Sequence, residues 1–198
     1  IYGFDTVVVS NEQSANEGNL EWQGRTINHQ YSKTYQFETL FRTYLETYFG
    51  QQPVRPNYFS VLRPLNELQI AKAFSQFPAF WPVFRSCNIG QKTDAWCHHC
   101  PKCVFVFIVL ACFLDESVLV GQIFNKNLRD EISLLPIVEQ LIGYEANKPF
   151  ECVGSRLEVL AALQHIVTQY QAAGQRLPAV LAAVQEKLGG QLATTPKL

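Results

Sequence analysis

The sequence contains no methionine and begins at Ile1, whereas average amino-acid usage predicts a few methionines in a chain of this length. We therefore expect either a fragment of a longer protein or a sequence from which methionines have been lost. In both cases the spacing between motifs could be incomplete.

Long apolar runs and a strong net charge are also missing. No run of about eighteen apolar residues occurs, so no segment is predicted to span a bilayer, and no secretory signal peptide is found. The formal net charge of -1 argues against a partner bound chiefly through phosphates, such as duplex nucleic acid. We therefore expect a cytoplasmic protein with reduced thiols, and neither nucleic acid nor a membrane as its partner.

Cysteine, in contrast, is concentrated in one place. Four of the six cysteines lie within the segment SCNIGQKTDAWCHHCPKC. Cysteines separated by two residues can turn back onto one metal ion, and a thiolate from a preceding loop completes the tetrahedral set that Zn²⁺ prefers. The segment therefore predicts a zinc-knuckle loop that holds a structural Zn²⁺ through Cys87, Cys97, Cys100 and Cys103.

Two alternatives to this zinc site stay open. The four cysteines could be reduced or disulfide-bonded without a metal ion. A histidine of the same loop, His98 or His99, could also replace one thiolate as a ligand.

After the cysteines the sequence predicts mostly helices. VFVFIVLACF has the length and composition of a buried helix, and Cys112 within it is expected to be inert packing. NKPFECVGS interrupts the helical region with a proline and a glycine. The other helices are predicted at residues 116–124, 128–142 with a break near Pro136, 156–172 and 178–188.

The first part of the chain indicates an α/β arrangement. Thr6 to Ser10 is a β-branched run typical of a strand buried on both faces of a parallel sheet, and Tyr58 to Leu62 predicts a second buried strand. Apolar residues recur at helical spacing from Tyr35 to Phe49, so we expect the aromatic side chains of this helix to face the core. Another helix is predicted from Glu67 to about Phe77.

A polar segment, Asn11 to Lys33, follows the first strand and lacks a clear helical or strand period. Ligands gather beyond the carboxyl ends of parallel strands, and a long structureless loop there is usually functional or mobile. We therefore expect a ligand site, with a solvated linker as the alternative. The candidate side chains are Glu12, Ser14, Asn16, Glu17, Asn19, Asn28, His29, Gln30, Tyr31, Ser32 and Lys33. Arg63, which ends the second strand, could reach the same ligand or lie on the surface.

An ordered series of segments carries a resemblance to a known family: NEQSANEGN, NHQYSK, QFE, LRPLNELQIAKAF, SCNIG, WCHHCPKCVFVF and PFECVG. Together they resemble the UDP-N-acetylmuramoyl-L-alanyl-L-glutamate epimerase family of bacterial peptidoglycan synthesis. That family belongs to the ATP pyrophosphatase, or PP-loop, group. The resemblance therefore implies an α/β fold with part of a doubly wound parallel sheet of the adenine-nucleotide α-hydrolase type. The cysteine cluster is also similar to that of 7-cyano-7-deazaguanine synthase in the same group.

The family's phosphate-binding loop is missing from this sequence. Members carry, upstream, a glycine-rich Ser/Gly-Gly-Lys-Asp-Ser type loop that holds the ATP phosphates. The resemblance therefore implies the carboxyl-terminal portion of such an enzyme, without its upstream nucleotide-binding half and inactive alone. We expect residues 1–85 to form the α/β portion of a PP-loop-like domain, and residues 86–198 to form the zinc-binding loop and a helical region.

The activity that the resemblance implies is inversion of the terminal L-glutamate of a UDP-muramoyl dipeptide, with ATP and Mg²⁺ as cofactors. A carboxylate beside the α-carbon resists proton removal, because a second negative charge would build beside the first. Adenylating the carboxylate removes that charge, and a modest base could then invert the centre. The alternatives are a deazaguanine-type synthase and a noncatalytic zinc-bearing module.

Several residues are candidates for this chemistry. His29 could act as the base near neutral pH, and Cys152 could act as a thiolate. Lys33 suits a phosphate or carboxylate contact, while Glu12 or Glu17 could hold Mg²⁺ or orient the substrate amine. Beside Cys152, Glu151 is a further candidate for substrate binding.

Overall fold

The computed structural model describes residues 4–144 and 147–188. The chain divides into two compact units, residues 1–67 and 68–198. The fold is mixed α/β, with about half of the described residues in helices and a small parallel sheet. Across the described ranges, no helix combines the length and the apolar character that crossing a bilayer requires. The boundary expected between residues 85 and 86 stays a prediction.

Short strands form two small sheets in the first unit. They are β1 (Thr6–Val9), β2 (Leu20–Trp22), β3 (Arg25–Ile27) and β4 (Asn57–Ser60). β1 pairs with β4 in parallel, with Thr6 opposite Asn57 and Val9 opposite Ser60. β2 and β3 form an antiparallel hairpin. The predicted parallel pair is therefore present, while the larger doubly wound sheet stays a proposal.

β1 is exposed, and the prediction that it is buried on both faces is wrong for the described residues. Val7 is 54% exposed and Val8 is 52% exposed. Successive strand residues point to opposite faces, so both faces of β1 are uncovered. β4 is covered better, because Tyr58 and Phe59 are half-buried and Ser60 is buried. The β-branched run thus predicted the strand correctly but not the exposure of its side chains.

A long helix, α1 (Tyr35–Phe49), follows the polar segment. It begins at the bounds that the sequence predicts, because the hydroxyl of Thr34 caps it by accepting a hydrogen bond from the amide of Phe37. Phe41 packs edge-on against Tyr58 of β4, with ring centroids 4.9 Å apart.

The expectation that the α1 aromatics face a core is wrong for part of the helix. Leu40, Tyr44 and Tyr48 are 56%, 50% and 66% exposed, whereas Glu38 is 4% exposed. Phe41 stacks on Tyr44, whose ring in turn contacts Tyr48. The helix therefore carries an exposed row of apolar side chains.

The polar segment is ordered, so the prediction of a structureless loop is wrong. It contains 3₁₀ turns at Gln13–Asn16 and Tyr31–Lys33 in addition to the β2–β3 hairpin. Gln23 and Gly24 turn the hairpin with φ values of 48° and 71°, and two central residues with positive φ suit the twist of a two-residue hairpin. These strands and turns are too short to show a hydrophobic period in the sequence, so the sequence did not predict them.

Helices make up the second unit. They are α2 (Glu67–Phe74), α3 (Pro101–Leu110), α4 (Glu116–Val118), α5 (Leu135–Leu141), α6 (Arg156–Ala172) and α7 (Ala179–Leu188). A π-helix, Leu119–Phe124, continues α4, and 3₁₀ turns occupy Pro78–Val83, Gly90–Thr93 and Ile132–Leu134. The predicted helices are confirmed here except at two places. α2 ends earlier than expected, and within the predicted helical segment 128–142 only Leu135–Leu141 is α-helical, preceded by the 3₁₀ turn Ile132–Leu134. Pro136 stands in the first turn of α5, where a proline is tolerated, and does not break a helix.

α3 is the centre of the second unit, as its apolar sequence predicts. Every residue from Cys103 to Leu110 is buried, and α3 packs against α5 and α6. Cys112, just beyond its end, is also buried, and burial raises the pKa of its thiol to about 12. A thiol at neutral pH in apolar surroundings is unreactive, so the expectation of inert packing agrees with its environment.

Candidate functional site

Four cysteine sulfurs converge in the second unit. The Sγ atoms of Cys87, Cys97, Cys100 and Cys103 all lie within 4.8 Å of one another. Three of the separations are 3.5 Å between Cys100 and Cys103, 3.7 Å between Cys97 and Cys103, and 4.0 Å between Cys87 and Cys100. A disulfide bond measures about 2.05 Å, so these are free cysteines. The disulfide alternative is wrong for this cluster.

The spacing of the sulfurs fits a tetrahedral metal ion. With Zn–S bonds of about 2.3 Å, the edge of a tetrahedron of sulfurs is about 3.8 Å. Main-chain amides also point at the sulfurs: Gly90 N–H donates to Cys87 Sγ at 3.1 Å, and Cys103 N–H donates to Cys100 Sγ at 3.4 Å. Such hydrogen bonds favour thiolates. The residues present therefore fit a four-thiolate metal site.

The thiols also influence one another's protonation. The hydrogen bond from Cys103 lowers the pKa of Cys100 to about 5. The same interaction raises the pKa of Cys103, and burial raises the pKa of Cys97. Without a metal ion, Cys100 is therefore a thiolate at neutral pH, and its negative charge is an initial contact for a cation.

The two neighbouring histidines contact main-chain carbonyls, one in the π-helix and one in the loop itself. His98 Nε2 lies 2.6 Å from the carbonyl oxygen of Phe124, and His99 Nδ1 lies 2.6 Å from that of Cys97. Each imidazole N–H donates to a carbonyl there. The cluster consists of the four cysteines, so the alternative in which a histidine replaces one thiolate is not supported.

Residues 86–103, which carry the four cysteines and are called the metal loop below, also contact the start of α3 and the PFECVG segment. Cys100 is the N-cap of α3, because its sulfur accepts the amide of Cys103. Glu151 Oε2 accepts hydrogen bonds from the amide of Lys102 at 3.1 Å and from Asn88 Nδ2 at 3.4 Å. The Lys102 ammonium group donates to the carbonyl of Cys152. Both candidates from PFECVG therefore contact the metal loop.

In the first unit, asparagines hold the polar segment together. Asn16 Nδ2 donates to the carbonyl of Gln13, and its Oδ1 accepts the amide of Tyr35. Asn28 Nδ2 donates to the carbonyl of Ala15 at 2.8 Å. These amides bind the main chain of the segment itself. The abundance of asparagine is thus explained by internal hydrogen bonds, which single-sequence reasoning does not separate from ligand contacts.

His29 is held by a side chain of the same segment. Its Nδ1 lies 2.7 Å from Asn19 Oδ1, which also accepts the main-chain amide of His29 at 3.1 Å. The amide oxygen is an acceptor only, so Nδ1 carries the proton of the neutral ring and Nε2 carries the lone pair. Asn19 is 3% exposed, whereas His29 is exposed. The arrangement can present a fixed tautomer to solvent or to a ligand.

Arg63 forms hydrogen bonds near both ends of the polar segment. It pairs with Glu38 at 2.9 Å, and it donates to the carbonyls of Glu12 at 3.0 Å and Lys33 at 2.9 Å. Its side chain is 13% exposed, so the alternative in which Arg63 lies on the surface is not supported. Sequence reasoning missed Glu38. An acidic residue in the first turn of a helix is usually attributed to the helix dipole, and nothing local indicates its distant partner.

The remaining candidates differ in their exposure. Ser14 and Gln30 are buried, Glu12, Glu17 and Lys33 are half-buried, and Tyr31 and Ser32 are exposed. A substrate contact by any candidate stays a prediction. His29 and Cys152, the two candidates for the base, belong to different units, and the role of each stays a prediction.

Comparison with known proteins identifies relatives that carry the same protein name. A protein of Salinispora tropica named UDP-N-acetyl-alpha-D-muramoyl-L-alanyl-L-glutamate epimerase is 42% identical over 165 residues, which is 81% of this chain and 35% of the relative. Proteins of the same name from Micromonospora sp. and Xanthomonas oryzae pv. oryzae are 41% and 38% identical, over 83% and 81% of this chain and 37% and 36% of their own lengths. The chain thus spans little more than a third of these curated relatives. No solved structure gives a significant match.

Two family models also match the sequence. The MurL N-terminal domain matches residues 1–61, and the MurL C-terminal domain matches residues 83–195. The second match includes the four-cysteine cluster and the helices that follow it. Because that model alone covers more than half of the chain, the protein belongs to the MurL family.

Proposed function

We propose that this chain is part of a cytoplasmic, ATP-dependent enzyme that converts the terminal L-glutamate of UDP-N-acetylmuramoyl-L-alanyl-L-glutamate to the D form, in peptidoglycan precursor synthesis. The observation that carries the proposal is the similarity to three relatives named as this epimerase, over 81–83% of the chain. The matched models favour the epimerase over a deazaguanine-type synthase. The doubly wound PP-loop fold belongs to the same proposal, and the parallel β1–β4 pair is compatible with it.

The chemistry begins with removal of the charge beside the α-carbon. ATP supplies an adenylyl group: a carboxylate oxygen of glutamate attacks the α-phosphorus, and pyrophosphate leaves. A base then takes the α-proton, and an acid returns a proton on the opposite face. Hydrolysis restores the carboxylate and releases AMP, so the net cost is one ATP and one water.

His29 is the better supported candidate for the base. Its Nδ1–H is oriented by Asn19 at 2.7 Å, so the lone pair on Nε2 has a defined direction. A fixed tautomer of this kind is what a general base requires. Cys152 remains the candidate for the second acid or base, with Lys33 as an anion contact and Glu12 or Glu17 as the Mg²⁺ contact. Tyr31 and Ser32, which are exposed, are the remaining candidates for a substrate contact.

Zn²⁺ is the proposed metal, held by Cys87, Cys97, Cys100 and Cys103. Four thiolates leave no open coordination position, so the ion would stabilise the loop and supply no Lewis-acid chemistry. The sulfur separations of 3.5, 3.7 and 4.0 Å support this assignment. Metal analysis tests it: a purified, folded sample should contain one zinc per chain, and a value near zero would contradict the proposal.

A chimera tests the reaction. The aligned 165 residues of the Salinispora tropica relative would be replaced by the matching part of this chain, and the product assayed with ATP and the UDP-muramoyl dipeptide. We expect D-glutamate formation, AMP release and incorporation of solvent deuterium at the α-carbon. His29→Gln in the chimera should abolish inversion. A folded chimera that forms no AMP and no D-glutamate, beside an active parent, would contradict the function for this chain.

A further inference from the structure

A polar cleft in the second unit lies where two helices end. It has a volume of about 680 Å³, and its lining residues come mainly from the turn 111–116 after α3 and from residues 169–175 at the end of α6. This volume is typical of small-molecule sites. The last carbonyls of a helix carry a partial negative charge, so both helix ends favour a positively charged group in the cleft.

Arg129 supplies a fixed positive charge in the wall of the cleft. Its side chain is only 9% exposed, and its guanidinium carbon lies 5.8 Å from the ring centroid of Phe107 and 5.7 Å from that of Tyr170. The main-chain amide of Arg129 donates to Asn127 Oδ1 at 3.0 Å. The aromatic rings and this hydrogen bond therefore hold the arginine in place.

Only part of the guanidinium group is used. Nη1 donates to Glu116 Oε2 at 2.8 Å and to the Tyr170 hydroxyl at 3.0 Å, and the group makes no other hydrogen bond within the described residues. Nε is buried there without a partner, so Nη2 keeps its N–H groups for solvent or a ligand. Buried polar groups are normally paired, and a carboxylate is an anion that fits guanidinium N–H groups well. Arg129 therefore indicates a carboxylate in the cleft.

Asp115 supplies the opposite charge. It is the N-cap residue of α4, but its side chain makes no capping hydrogen bond and is exposed. Glu116, the other acid of the cleft, is shared between Arg129 and Asn127 Nδ2. The Asp115 carboxylate and the nearby end of α3 thus offer acceptors for an ammonium group, which has three N–H donors.

We propose that this cleft binds a small zwitterion, an α-amino acid or a short peptide, with its carboxylate on Arg129 and its ammonium group on Asp115 and the end of α3. The UDP-muramoyl dipeptide does not have this chemistry, because the muramoyl group acylates the alanine nitrogen and leaves no ammonium group. The cleft is therefore separate from the proposed substrate site, and its failure to bind a zwitterion would leave the proposed function to its own test.

Calorimetry with the whole chain tests the proposal. The probes are glycine, L-alanine, L-glutamate and the dipeptide L-alanyl-L-alanine, so that free amino acids are distinguished from a peptide. We expect saturable binding of at least one probe with a Kd below about 10 mM. The N-acetylated and the amidated forms of the tightest probe should each bind at least about tenfold more weakly, because each loses one charged hydrogen-bonding group.

Two matched variants locate the contact. Asp115→Asn should weaken binding of the tightest probe at least about tenfold, because it removes the negative partner of the ammonium group. Glu186→Gln is the control, since Glu186 is an exposed acid on α7 outside the cleft, and it should leave the affinity unchanged. Circular dichroism would verify that both variants are folded. No saturable binding of any probe, equal binding of the zwitterion and its single-charge forms, or equal affinity of the two variants would each overturn the proposal.

Discussion

Glu38, which is buried, and Arg63, which is part-buried, form an ion pair in which one carboxylate oxygen accepts from Nε at 3.1 Å and from Nη2 at 2.9 Å. The same guanidinium group donates to the carbonyls of Glu12 and Lys33, which stand near the two ends of the polar segment. The pair therefore connects α1 to both ends of the segment that carries His29.

Glu38→Gln should destabilise the first unit by on the order of 3 kcal/mol, because removing one partner of a buried pair leaves the other charge uncompensated. Hydrogen exchange of residues 12–33 measures the effect within this unit. Glu46→Gln is the matched control, since Glu46 is an exposed acid on the same helix and should change stability by less than about 0.5 kcal/mol. Equal effects of the two variants would show that the ion pair contributes little.

The tautomer of His29 can be observed directly by ¹⁵N NMR above the pKa of the ring. We expect the proton on Nδ1, because Asn19 Oδ1 lies 2.7 Å away and can only accept. Asn19→Ala should release the ring and raise the fraction with the proton on Nε2. His99, whose Nδ1 donates to the Cys97 carbonyl, should be unaffected. A parent protein with the proton on Nε2 of His29 would contradict the proposed orientation of the base.

Metal binding should release protons and weaken in acid. In the metal-free protein at neutral pH, Cys97 and Cys103 are thiols because their pKa values are raised, whereas the pKa of Cys100 is about 5. Both thiols must lose a proton to bind a cation, so at least two protons should leave per ion. Calorimetry in buffers of different ionisation enthalpy counts them. Since protons compete for the sulfurs, affinity should fall as the pH falls, and pH-independent binding would exclude thiolate ligation.

Gly90 should be required for the metal loop. A Cβ atom at this position would lie 1.8 Å from the carbonyl oxygen of Ala95, so Gly90→Ala must displace the loop that carries Cys87 and Cys97. We expect at least about tenfold weaker zinc binding in a chelator competition. Gly121→Ala is the control, because nothing lies within 4 Å of its added Cβ. Unchanged zinc affinity in Gly90→Ala would show that the loop tolerates the shift.

The sequence predicted the features that depend on local signals. The spacing of Cys97, Cys100 and Cys103, with Cys87 from the preceding loop, was enough to predict the four-cysteine cluster, because a metal knuckle is formed largely by neighbouring residues. α6 has its predicted bounds of Arg156–Ala172, since the Ser155 and Glu158 capping box marks its start. α3 was predicted from its continuous apolar run.

Features that depend on distant parts of the chain were not predicted. The ion pair between Glu38 and Arg63 joins residues 25 positions apart, and no local pattern indicates it. The exposure of Val7 and Tyr44 depends on what else packs against β1 and α1, whereas β-propensity and helical periodicity report only which residues could be buried. The internal role of Asn28 was hidden for a similar reason, since an amide can bind either a ligand or its own loop.

Because Cys100 both belongs to the sulfur cluster and caps α3, the supply of metal in the cell would act on the most buried helix of the second unit. A ligand that binds only the folded state adds RT ln(1 + [L]/Kd) to its stability, which is about 4 kcal/mol at a thousand times Kd. If the bound metal is the proposed Zn²⁺, a cell starved of zinc would lose part of this free energy, and the unfolded fraction open to proteases would rise. The abundance of the protein would then follow zinc nutrition even if its gene were expressed at a constant rate.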